Sequence, residues 1–67
     1  MTVKLGDGLV VPGDIDPKKL KAAMVKYLDE NPVFPLGRIS YKGSKHKYKV
    51  KLEKDGANAT ITEITAA

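Results

Sequence analysis

The stretch from Arg38 to Ile64, RISYKGSKHKYKVKLEKDGANATITEI, decides the fold. Apolar and polar residues alternate through most of it, the period-two pattern of half-buried strands. Two turn signals interrupt the alternation. Gly43 followed by Ser44 fits a two-residue hairpin turn with glycine first, and Asp55 followed by Gly56 fits a type I′ turn. Strands are therefore predicted over about 38–42, 46–54 and 57–64, forming an antiparallel β-meander. The first turn pairs Tyr41 with His46, Ile39 with Tyr48 and Arg38 with Lys49. The second pairs Leu52 with Ala59, Val50 with Ile61 and Tyr48 with Glu63. Both turns yield one two-faced sheet. Ile39, Tyr41, His46, Tyr48, Val50, Leu52, Ala59 and Ile61 share one face; Arg38, Ser40, Lys47, Lys49, Lys51, Thr60 and Thr62 share the other.

Working outward, the apolar face needs a cover, and residues 17–30 supply it. Asp16 is a good helix N-cap and Pro17 suits the first helical position, where its missing N–H costs nothing. Leu20, Ala23, Met24, Tyr27 and Leu28 fall on one helical stripe. Asn31 and Pro32 stop the helix. Val33, Phe34 and Leu36 are expected to plug the open end of the core. Upstream, residues 2–11 carry two short β-prone runs around Gly6, Asp7 and Gly8, expected as a short strand or hairpin. The prediction is a single α+β domain over residues 1–67, one amphipathic helix on an antiparallel sheet.

Composition narrows the chemistry. The chain has 67 residues and no cysteine, so disulfides, thiolate metal sites and cysteine nucleophiles are excluded. A small disulfide-free domain is expected to be intracellular, here cytoplasmic. No segment approaches the roughly 20 apolar residues of a membrane span, and no secretory leader pattern opens the chain. There is no glycine-rich phosphate loop. His46 is the single histidine, expected as a half-buried cross-strand partner of Tyr41 rather than a metal ligand. Asp29 and Glu30 are adjacent and diverge on a helix, so they make no catalytic pair. Asp7, Asp14 and Asp16 are read as turn and capping residues rather than calcium ligands. So short a chain is expected to offer little room for a pocket of about 300 Å³. The expectation is a protein without metal or cofactor that is not an enzyme.

Charge supplies the functional clue. The net charge is +4, and all of the excess lies in one stretch. Residues 1–37 balance five lysines against five acids, whereas residues 38–54 set seven basic residues against Glu53 alone. Arg38, Lys42, Lys45, Lys47, Lys49, Lys51 and Lys54 are the candidate nucleic-acid-binding residues. Like charges facing each other across a sheet oppose folding, and phosphates along a nucleic-acid backbone would relieve that repulsion. A solvated lysine face that guards the sheet against aggregation is the plainer alternative. One arginine and no outward aromatic residue argue against base reading and stacking, so low-specificity duplex backbone contact is expected. The alternative is a protein-interaction module: an inhibitor, adaptor or assembly subunit. It would set the basic face against an acidic protein, or add a strand at the C-terminal edge around Thr60, Thr62 and Ile64, with a homodimer as one form. Ile64 falls out of phase with Ile61 and is expected to be exposed.

Overall fold

The helix forms where its caps and stripe place it. In the computed structural model, which describes residues 2–67, α1 spans Pro17–Glu30. The Asp16 carboxylate accepts from the Lys18 N–H at 2.9 Å, and the Asn31 N–H donates to the Tyr27 carbonyl at 3.1 Å. Leu20, Met24 and Leu28 are buried along the stripe. Four strands complete the chain: β1 (Thr2–Leu5), β2 (Ile39–Lys42), β3 (Lys47–Asp55) and β4 (Asn58–Ala66).

The strands form one sheet in the order β1-β4-β3-β2. β2, β3 and β4 make the expected antiparallel meander, while β1 runs parallel to β4. Since β2 also runs parallel to β1, α1 carries the chain from one edge of the sheet to the other. Its stripe lies over Val3, Val50, Leu52, Ala59 and Ile61 in a common core. Full burial of a side chain such as Leu20 or Val50 contributes about 1.5–3 kcal/mol. The same face is buried as the alternation predicts, apart from His46.

The register differs from the predicted one by two residues at each hairpin, and by three on β4 beyond Thr62, where a bulge intervenes. Ile39 faces Val50, Ser40 faces Lys49 and Tyr41 faces Tyr48, so the first connection has four residues, Gly43 to His46. In the second, Asp55 faces Asn58 and the turn residues are Gly56 and Ala57. Because side chains alternate with period two, a slip of two residues changes every partner and leaves each on its own face. His46 is the exception: it leaves the strand, lies exposed in the first loop, and meets Tyr48 edge-on at 6.4 Å between ring centroids.

Of the strand and hairpin alternatives for the N-terminal run, the single strand is the one formed: after Leu5 the chain turns away through Gly8, at φ +74°, and Val10 is exposed. Two further expectations are corrected. The connector plugs the core only through Phe34, which is half-buried, while Val33 is 77% exposed and Leu36 fully so. The segment bends at Pro32–Val33 and again at Leu36–Gly37, and the two flanking apolar side chains point away from the core. Ile64 is packed against the core rather than exposed. A β-bulge between Lys51 and Leu52 leaves Thr62 as the extra residue on β4, which restores the phase and sets Ile64 opposite Val50.

Candidate functional site

On the face away from α1, outward residues align in rows across the strands. Lys42 faces Lys47, Ser40 faces Lys49, Lys51 faces Glu63, Glu53 faces Thr60, and Asp55 faces Asn58. Lys4 on β1 extends the Glu53 row beyond Thr60. The face is graded: cationic toward the β2–β3 loop, balanced in the middle and anionic at the β3–β4 turn. Lysines two residues apart on β3 project about 6.8 Å apart.

The cationic end is concave. Ser40, Lys42, Lys47 and Lys49, with Ala67, line an open depression of about 370 Å³. Lys42 and Lys47 are exposed and directly opposed, and Lys45 extends from the loop beside them. The Lys49 ammonium donates to the Ser40 hydroxyl at 2.9 Å, which leaves the Ser40 proton free to donate elsewhere. Among the described residues no carboxylate comes within ion-pairing distance of Lys42, Lys45, Lys47 or Lys49.

The remaining candidate residues are set apart from this end, and one expected pairing is corrected. Arg38 does not face Lys49; it sits just before β2 and pairs with Glu63, Nη2 to Oε1 at 3.5 Å. Lys51 pairs with the other oxygen of the same carboxylate at 3.7 Å. Lys54 lies at the far, acidic end between Glu53 and Asp55, away from the other lysines. The like-charge opposition expected between Arg38 and Lys49 exists instead between Lys42 and Lys47.

The β2–β3 loop is held by a residue that pattern reading assigned only to a turn. The Asp14 carboxylate accepts from the Lys45 and His46 N–H groups at 3.0 Å each, and from the Tyr48 hydroxyl at 2.5 Å. Its carbonyl accepts from the Ser44 N–H at 3.0 Å. The Tyr48 hydrogen bond, aided by the two loop N–H groups, lowers the Asp14 pKa below its ordinary value. The same bond raises the Tyr48 pKa. No local signal marks Asp14 as the clamp, since its partners lie about thirty residues away in sequence.

A second cleft, of about 470 Å³, opens on the helix side of this loop between Asp14, Asp16, Lys19, Tyr41 and Lys42. The chain therefore has more room than its length suggests. Asp14 and Asp16 are both engaged, one as the clamp and the other as the helix cap. Among the described residues no cluster of three or more histidine or acidic groups could hold a metal ion, and no helix is long and apolar enough to cross a membrane.

The edge residues separate similarly. Thr60 is paired with Lys4 of β1, so that part of β4 is covered. Thr62 is the bulge residue, and its hydroxyl lies 3.4 Å from the Lys51 carbonyl. β1 pairs no further than Ile61, and the Gly6 N–H makes the last bond to the Ile61 carbonyl at 2.9 Å. The edge of β4 from Thr62 to Ala66 extends past it. Comparison of the chain with protein-family models, curated proteins and solved structures returned no match.

Proposed function

We infer that this chain is a small nucleic-acid-binding protein that acts by binding rather than catalysis, contacting duplex backbone phosphates through the lysine end of its outer sheet face. The observation that carries the reading is the opposed pair Lys42 and Lys47 on the rim of a depression shared with Ser40 and Lys49. Two lysines directly opposite each other in the register oppose the sheet that carries them. A phosphate between them removes that penalty, and its counterions are released. Lys45 adds a fourth cation from the loop that Asp14 holds in place. The lysine-rich, arginine-poor composition favours point-charge contacts over base recognition. Arg38 and Lys51 stand at the margin because Glu63 already engages them, and Lys54 lies outside the footprint. A cytoplasmic location, suited to a cysteine-free chain, belongs to the same proposal.

Titration of a fluorescent DNA duplex at several salt concentrations tests it. Four lysines predict a log–log salt slope of about −3 to −4. Changing Lys42, Lys47 and Lys49 together to Gln is expected to remove most of that slope and leave the helical circular-dichroism signal intact. Unchanged affinity in the triple variant, or no binding by the parent at low salt, overturns the reading.

A second reading has its own observation, the open edge of β4 beyond Ile61. Strand addition there by another protein or a second copy would pair the exposed backbone. Light scattering across a concentration series, and a complex that survives nuclease, would favour it.

A further inference from the structure

The bulge at Thr62 does more than return Ile64 to the core. By adding one residue to β4, it turns Glu63 to the outer face, opposite Lys51. Without the extra residue, Glu63 would point toward the apolar side. Turned outward, its two oxygens lie 3.5 Å from the Arg38 guanidinium and 3.7 Å from the Lys51 ammonium. One carboxylate thus bridges two cations, one from the segment just before β2 and one from β3, as a phosphate group would.

We propose that Arg38 and Lys51 form a second anion subsite, occupied in the free protein by the chain's own Glu63, which a phosphate group of the ligand displaces. The contact is built to yield. Both distances are long for charge-assisted hydrogen bonds, and all three side chains are substantially exposed, where ion pairs are weak. A backbone phosphodiester matches the carboxylate it replaces in charge and in its two terminal oxygens, and the counterions released along the polyanion favour the exchange. The subsite adjoins the Ser40–Lys49 row, so a ligand seated over Lys42, Lys47 and Lys49 reaches it by continuing along β3. Glu63 therefore sets the footprint: a short anion engages only the free lysine end, and a longer one must expel the carboxylate. This inference rests on the phosphate-binding reading for its ligand and on the Arg38–Glu63–Lys51 geometry for its site.

The test compares the parent with Glu63→Gln, Glu53→Gln and the triple variant Glu63→Gln, Arg38→Gln, Lys51→Gln. Glu53→Gln makes the same change of net charge on the same face without touching the subsite. Glu63→Gln is expected to tighten duplex DNA binding about three- to tenfold at low salt. Its salt slope should stay close to that of the parent, where the duplex engages the same two cations once it has expelled the carboxylate. The triple variant should lose that gain. A gain no larger than that of Glu53→Gln, or one that survives in the triple variant, overturns the proposal. If neither the parent nor Glu63→Gln binds duplex, the nucleic-acid reading fails and inorganic tripolyphosphate decides the subsite. Resonance shifts at Arg38 and Lys51 in Glu63→Gln but not in the parent support it; their absence overturns it.

Discussion

The two hairpin connections differ in what holds them, and each contains one informative glycine. The β3–β4 turn, Gly56 and Ala57 between facing Asp55 and Asn58, rests on local conformation: Gly56 has φ +61°. The β2–β3 loop, Gly43 to His46, is held from outside by Asp14. Gly43 does not have positive φ; it is glycine for space. A Cβ there would lie 2.7 Å from an Asp14 carboxylate oxygen and 3.1 Å from the Tyr48 ring. The loop that carries the lysine end is thus a tertiary construction, while the acidic turn is a local one. Positioning of opposed cations calls for the former, because local preferences alone would let them diverge.

The comparison can be broken most severely at Gly43. Gly43→Ala drives a methyl group into a carboxylate pinned by three donors and is expected to cost about 2 kcal/mol. In an Asp14→Ala background the same change should cost less than half as much, since the obstructing oxygen is gone. Chemical denaturation of the four proteins in that cycle measures the coupling; additive effects would show that the loop stands without its clamp.

Acid titration tests the clamp differently. The folded-state pKa of Asp14 is depressed, so its contribution to stability is present above the ordinary value of 3.8 and is lost as pH falls below it. Tyr48 is shifted upward from 10.0, so its contribution is present below that value and lost as pH rises through the folded-state pKa. The stability difference between the parent and Asp14→Asn should therefore be constant near neutrality and shrink below about pH 4. Thermal melts across that range check it, and a gap that persists in acid would contradict the assignment.

At the other turn, Gly56→Ala pays only the left-handed backbone penalty, about 1 kcal/mol, with no dependence on residue 14. The smallest effect separates the two ends by charge. Lys47→Gln is expected to reduce the salt slope of duplex binding by about one, and Lys54→Gln to leave it unchanged. Equal effects would mean that the whole face, not its lysine end, is in contact.

Much of this was legible in residue pattern. Asp16, Pro17 and the Leu20–Met24–Leu28 stripe place the helix because capping and helical periodicity are local. The lysine face survived an incorrect register because β2 and β3 slipped by two, the period of the strand, and the bulge in β4 left the phase of β3 unchanged. What the pattern could not carry was distance. Gly43 and Ser44 resemble a two-residue turn, and only Asp14, folding in from before the helix, makes the loop four residues long. Ile64 out of phase was the one local sign of a bulge, and the consequence for Glu63 depends on Lys51 across the sheet.

Alternation and capping, which act over a few residues, determined by themselves a helix, three strands of the meander and a face rich in lysine. The tertiary structure decided which lysines are free, through the Asp14 clamp and the Glu63 bridge. It also decided that β1 joins β4 in parallel and ends at Ile61. Those outcomes depend on groups brought together across the whole chain, where side-chain reach and backbone register, not local preference, select the partner.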